Sequence, residues 1–436
     1  MGNEFLGLIS VFVLMACVAL GIPIAFSMLL TGFLGYAYFA GFDTAISQLL
    51  LVGWHESAEN FVMVCIPLYI LMGFIVSNSG IAKDLYAAAY KWFGHWKGGL
   101  AIATVFACAG FGAITGSSAA TASTIGSLAK PQMDRYGYDS KLSTGCLAAS
   151  GTLGVLIPPS LVFVFYGAMT EESVGQLFMA GVIPGIVTVL VFAGVIYFWC
   201  LWNKKLSPTG PTFSWVERWK SVKAVWPILL LFLSVIGGIY AGVFTPTEGA
   251  GIGSSMALLL TVLMKRMTKG LFLKALRETV RLTAMILAIV YGGILYSRFL
   301  ALTGATEYLV NLLLGMEVNK YLLVIALLAI YLILGMILDV YGMLVLTLPI
   351  VFPVIIGLGF SGIWFGVICV VMAEVALITP PVGVNVFVIS GVAPDVPLEK
   401  IFKGISPFFL GELIVIAFCI AFPWMATWLP ETMLGR

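Results

Sequence analysis

The chain has 436 residues, 61% of them hydrophobic and 10% charged, and its 22 Lys+Arg nearly balance its 20 Asp+Glu. Soluble domains carry about 25% charged residues, so this composition excludes a soluble enzyme, a nucleic-acid binder and a disordered tail. The apolar residues form runs of roughly 18–25, enough to cross the bilayer as helix, and they do not alternate as β-barrel strands do.

In chain order the predicted apolar segments are 4–20, 23–40, 58–79, 98–130, 141–169, 174–202, 224–243, 247–264, 282–303, 320–358, 362–393 and 405–429. No Lys or Arg precedes the first, which predicts a retained helix rather than a cleaved leader. Segments 98–130 and 320–358 are too long for one crossing and too short for two. They are expected to be re-entrant hairpins, each entering and leaving by one side. With the basic segment 204–223 cytoplasmic, 19 of the 22 Lys+Arg then fall inside, from Lys83, Lys91 and Lys97 through Lys400 and Lys403. A full crossing at 98–130 would break this positive-inside pattern. The outer loops are acidic, with Glu56, Glu59, Glu171, Glu172, Glu307 and Glu317. Lys320 and Arg436 also fall outside, as do both termini, and ten full spans result. The seven cysteines lie in apolar runs without metal or disulfide spacing, and are read as small buried hydrophobes.

The two halves match at an offset of 222 or 223 residues. Pro23 pairs with Pro246, Pro131 with Pro353, Gly137 with Gly359, Pro158-Pro159 with Pro380-Pro381, and Pro184 with Pro407. The expected organisation is a first repeat at 1–203, a cytoplasmic linker at 204–222 and a second repeat at 223–436. Each repeat holds five spans and one hairpin, so the second sits upside down relative to the first. Inverted repeats with broken helices are the architecture of secondary transporters.

Pro-Pro interrupts 141–169 and 362–393, the first within Ala149–Ser160 and the second within Glu374–Asn385. Proline removes a backbone donor and opens the helix. Such backbone survives at membrane depth only where it is buried in protein or lines a cavity. A plain proline kink is the alternative. The first hairpin tip, Gly112–Thr124, is small and hydroxyl-rich, which suits both close helix packing and coordination. The second tip carries Asp339 at the position matching Ser117, and a buried carboxylate there calls for a cation or a donor. Na⁺ fits a cage of carbonyls, hydroxyls and one carboxylate. The expected first site uses Ser117, Ser118 and backbone at Gly151 and Thr152; the second uses Asp339, Gly342, Thr379, Gly383 and Asn385. Ser117, Ser118, Ser160, Asp339 and Asn385 are also candidates to touch an anionic substrate, which the N-terminal ends of the second half-helices suit.

At these residues the chain strongly resembles, over essentially its whole length, the large membrane subunit of tripartite ATP-independent periplasmic (TRAP) transporters, the DctM-like family. The motifs are Phe244–Ala250, Gly116-Ser-Ser, Gly151–Ser160, Gly359–Gly366, and Glu374 with Thr379–Asn385. Ser361 and Gly249 depart from the family's usual Asp and Ala. The resemblance implies Na⁺-driven import of an organic acid, such as a dicarboxylate or sialic acid, across the bacterial inner membrane. It further implies elevator-type movement, a periplasmic substrate-binding protein, and a separate small four-helix membrane subunit.

Three residues need separate readings. Glu248 is read as a first-turn acid and Glu374 as an orienter of the broken backbone, ahead of ligand roles. Arg298, the only cation placed within a span, either snorkels to the outer interface or grips the substrate carboxylate through a planar fork. His55 and His95 fall in predicted loops and no P-loop occurs, which disfavours an intramembrane protease and an ATP-driven pump. A passive channel with the same topology remains the competing function.

Overall fold

A computed structural model describes residues 3–54, 61–208, 210–316 and 318–433. His55, Glu56, Glu59, Glu317 and Arg436 of the sequence reading lie outside the described residues. Every regular element described is helical. In the first half these are α1 (Asn3–Ala19), α2 (Ile24–Ala40), α3 (Phe42–Trp54), α4 (Cys65–Asn78), α5 (Ile81–Phe93), α6 (Gly99–Thr115), α7 (Ser118–Arg135), α8 (Ser140–Leu156), α9 (Leu161–Thr170) and α10 (Val174–Trp202). The linker holds α11 (Trp215–Ala224). The second half continues with α12 (Trp226–Tyr240), α13 (Pro246–Leu263), α14 (Lys269–Leu302), α15 (Ala305–Leu314), α16 (Lys320–Gly335), α17 (Val340–Gly357), α18 (Gly362–Ile378), α19 (Val384–Val392), α20 (Leu398–Ala421) and α21 (Trp424–Glu431).

Helix ends recur at nearly the sequence offset because the stop and start signals recur. Asp139 caps α8 by accepting from Lys141 N at 2.7 Å, and Ser361 caps α18 by accepting from Trp364 N at 3.4 Å. Ser and Asp rank alike as N-caps, so the serine at 361 keeps the helix start that an aspartate would give. Ser117 and Asp339 likewise cap α7 and α17.

Packing follows the same plan. α7 packs on α19 while its counterpart α17 packs on α9, and α8 packs on α20 while α18 packs on α10. Around this inner set stand α2 against α14 and α4 against α13. The outer set meets the hairpins at two glycines. A methyl group on Gly73 of α4 would lie 2.9 Å from the Thr115 carbonyl oxygen, and one on Gly293 of α14 would fall 1.7 Å from Val345 Cγ1.

Among the described residues, 4 helices are long and apolar enough to cross a bilayer alone, or up to 7 crossings when each bent pair counts as one. The exterior is apolar, with Phe12, Leu190, Leu233, Leu259 and Ile333 all exposed. Contiguous apolar surface of that extent belongs against hydrocarbon. The chain is an all-α, multi-pass membrane protein.

The basic loops meet at one end. Arg266 pairs with Asp84 at 2.6 Å, Asp139 N donates to Leu206 O at 3.0 Å, and Gly98 N donates to Ser207 Oγ at 3.1 Å. Lys130, itself buried, bonds Asp134 and lies 3.9 Å from Asp395.

Two segment boundaries and four short helices differ from expectation. The 282–303 segment is part of a 34-residue helix that starts at Lys269, so the basic stretch before it is helical rather than loop. The 405–429 segment splits into α20 and α21 at Phe422–Pro423. α3, α5, α11 and α15 are short helices that no apolar run announced. α5 buries Ile81, Ala82, Tyr86 and Ala89 and leaves Lys83 and Lys91 less covered, a helical periodicity rather than a hydrophobic run.

Candidate functional site

The first hairpin turns at Gly116, whose φ of 59° is the left-handed conformation glycine tolerates. The tip is closed by its own hydroxyls. Ser117 Oγ accepts from Ala120 N at 3.4 Å, and Thr115 and Thr121 share a hydrogen bond of 2.9 Å. The tip is pressed onto the first break. A methyl on Gly116 would lie 2.9 Å from Pro159 O, and one on Gly154 would lie 2.6 Å from Ser117 O. One turn earlier, Gly112 and Gly154 bring two backbones together, since a methyl on Gly112 would lie 2.7 Å from Gly154 Cα. Ser118 is buried on this hairpin, and Gly151 of α8 abuts Ala122 of α7. The break itself, 157–160, is covered, with Ser160 buried and its hydroxyl donating to Val155 O.

The second tip has the same parts with a different outcome. Asp339 Oδ2 accepts from Tyr341 N at 3.2 Å and Gly342 N at 3.4 Å. Gly342 is therefore held through its N–H by the aspartate. A cavity of about 230 Å³ opens beside the tip, lined in part by Leu338, Asp339, Met343, Ala376, Val382 and Gly383. Pro380 and Pro381 of the second break are exposed, whereas Pro158 and Pro159 are buried. Thr379 Oγ1 turns back to Val375 O at 2.6 Å. Of the expected second set, the cavity unites Asp339 with Gly383.

Asn385 is placed elsewhere. Its Nδ2 donates to Ala148 O at 3.1 Å, and Nδ2 would lie 3.2 Å from a methyl on Gly151. It joins α19 to the first half's broken helix instead of completing a second-half cage. Thr152 donates to Ala149 O at 2.7 Å, and Glu374 lies beside it from α18. Glu374 sits four residues before the end of α18 at Ile378, about one turn. Glu374 and Glu412 of α20 are both fully buried, and neither carboxyl has a hydrogen-bond partner among the described residues. Glu412 escaped the sequence reading, although a lone glutamate inside an apolar run was a visible signal.

Arg298 Nη1 donates to Gln48 Oε1 at 3.1 Å, linking α14 to α3. Glu248 forms a capping box with Thr245, taking Thr245 N at 2.7 Å while Glu248 N donates to Thr245 Oγ1 at 3.3 Å. This is the first-turn role read from the sequence.

Comparison with known proteins places the arrangement in a family. The family model described as "Tripartite ATP-independent periplasmic transporter, DctM component" matches residues 11–425. The chain is 35% identical over 384 residues to the C4-dicarboxylate TRAP transporter large permease protein DctM of Pseudomonas aeruginosa, covering 88% of this chain and 89% of that one. It is 31% identical over 418 residues to the sialic acid TRAP transporter large permease protein SiaM of Vibrio cholerae, covering 95% and 96%. A likeness in fold alone extends to the YdaH transporter of Alcanivorax borkumensis, with a TM-score of 0.57, 13% identity, and 89% and 90% of the two chains covered. The chain belongs to the DctM component family of tripartite ATP-independent periplasmic transporters, and is a transport component rather than an enzyme.

Proposed function

We propose that this chain is the large permease of an importer that couples inward movement of Na⁺ to uptake of an organic acid. The observation that carries the reading is the cavity of about 230 Å³ in which the tip carboxylate Asp339 faces the unwound backbone at Gly383. A carboxylate beside unwound backbone offers the hard oxygen donors that suit Na⁺. The serine hydroxyls of the first tip supply donors for a carboxylate substrate. Ser117, Ser118, Gly151 and Thr152 form the candidate first ion set, and Asp339, Gly342, Thr379 and Gly383 the second. Ser160 caps the helix start that faces the first tip.

The relatives are named for C4-dicarboxylates and sialic acid, which supports a small carboxylate as substrate. Family membership supports a periplasmic binding protein and a separate small membrane subunit as partners. The basic end gathered by Arg266–Asp84 and Lys130–Asp395 supports an inner-membrane orientation with that end cytoplasmic and both termini periplasmic. In the elevator movement proposed here, α6–α10 and α16–α20 travel as one body against the outer helices, and 1–203 and 223–436 are the two inverted repeats.

The test is uptake in proteoliposomes that contain this chain, its small subunit and its binding protein. Uptake is expected only with an inward Na⁺ gradient. Flux that persists without the gradient, and without the binding protein, would establish the passive channel instead.

A further inference from the structure

The basic end of the molecule carries a second feature, away from both hairpin tips. Helix α10 ends there in Tyr197, Phe198, Trp199 and Trp202, with Phe198 54% and Trp202 84% exposed. Lys141 lies over the Trp199 ring at 5.5 Å. Beside this aromatic end opens a cavity of about 560 Å³ lined by His95, Trp96, Lys97 and Tyr197.

Arg218 of α11 stands behind the lining residue His95. Its Nη2 lies 3.3 Å from His95 Nδ1, its guanidinium stacks on Trp215 at 5.2 Å, and Trp92 Nε1 donates to Arg218 O at 3.3 Å. Burial, and then the Arg218 charge, hold the His95 imidazole below its ordinary pKa, so a neutral ring nitrogen accepts from the guanidinium. Arg218 Nε is buried and has no hydrogen-bond partner among the described residues. The nearby acid Glu217 is already committed to a capping box with Ser214. None of the four lining residues is acidic.

A concave site at the end of a spanning helix, lined by Lys97 and by the exposed rings of Trp96 and Tyr197, has the chemistry of a membrane interface. Aromatic rings settle at headgroup depth, and lysine and arginine near the surface attract anionic lipid. A free cytoplasmic anion makes no use of an exposed apolar wall. We propose that this cavity binds the headgroup of an anionic phospholipid, its phosphodiester held by Lys97 and Arg218 and its acyl chains lying along α10 past Tyr197 and Phe198.

Native mass spectrometry of the full chain, extracted from bilayers with equal phosphatidylglycerol and phosphatidylcholine, tests this. Two basic contacts are expected to give roughly tenfold or greater preferential retention of phosphatidylglycerol. The Lys97→Glu/Arg218→Glu variant should lose that preference, and Lys97→Arg/Arg218→Lys should keep it. Thermal melting in pure phosphatidylcholine checks that each variant is folded. Should the reversal variant not fold, Lys97→Gln alone, expected to lower the preference severalfold, takes its place. Lys220→Glu/Lys223→Glu makes the same charge change elsewhere on α11 and should leave the preference intact. Equal loss in that control would overturn the site in favour of diffuse attraction, as would undiminished retention after substitution at Lys97 and Arg218. Displacement of the lipid by soluble glycerol phosphate at millimolar concentration would assign the cavity to a water-soluble anion instead.

Discussion

Gly112 and Gly154 let the first hairpin and the first broken helix touch backbone to backbone; 222 residues further on, Leu334 and Ala376 occupy those positions. The first tip leaves only about 10 Å³ beside Ser117, with its prolines covered, while the second leaves about 230 Å³ beside Asp339 and exposes Pro380 and Pro381, although Gly335 still meets the Ala376 side chain. Both breaks carry the same Pro-Pro signal. Proline opens a helix, and the packing around the opening sets whether it becomes a closed joint or an accessible site.

The sharpest way to break this comparison is to remove the one acid at the hollow tip. Asp339→Ala is expected to lower Na⁺-activated uptake by about a hundredfold, the scale of a lost charged ligand in a preorganised site. Asp339→Asn should transport as poorly while keeping the N-cap, because Asn and Asp rank alike there. Ser117→Ala should cost less than either in the same proteoliposome assay. A larger effect at Ser117 would reverse the ranking of the two tips.

Filling the closed joint comes next. Gly154→Leu should destabilise the folded protein by about 3 kcal/mol through overpacking against Ser117, whereas Ala376→Leu at the hollow counterpart should cost less than half as much. Thermal unfolding in detergent reads both. Equal losses would mean that the two joints are packed alike.

Arg298 separates the site from its surroundings. Gln48→Ala should lower stability by about 2 kcal/mol, the scale of a hydrogen bond to a charged group, and Arg298→Ala by at least as much. The substrate KM should stay within about twofold, the spread of a contact outside the site. A KM raised tenfold in Arg298→Lys at unchanged stability would return Arg298 to the substrate. The smallest effect belongs to the buried acids. Glu374→Gln/Glu412→Gln should fold with stability equal to the parent or about 1 kcal/mol higher, since it removes two buried acids that no cation neutralises among the described residues. A lower melting temperature would show that the carboxyls are held by something only an acid can bind.

The hairpins, the breaks and their recurrence could be read because Pro-Pro, Gly-Ser and the basic loops are local signals that the fold must respect. α5 and α11 were not visible as membrane elements, since a short amphipathic helix at the interface has no apolar run to declare it. The early start of α14 was hidden for a similar reason. Lys, Arg and Glu are good helix formers, so a charged stretch reads as loop by hydropathy and as helix by propensity. Asn385 shows the deeper limit. Its spacing assigned it to its own half, whereas its partner, Ala148 O, lies across the repeat and depends on how α19 crosses α8.

The two glycines at the rim of the inner set have unequal mechanical characters. At Gly73 a bare helix face meets the main chain of Thr115, a smooth surface with no side chain to catch. At Gly293 the Val345 methyl fills the notch left by the missing side chain. A smooth contact offers little resistance to sliding, and a filled notch resists it until the methyl is lifted out. The two contacts thus resist relative sliding of the helices unequally, and Val345 is the side chain that has to be lifted before α14 and α17 can slip past each other.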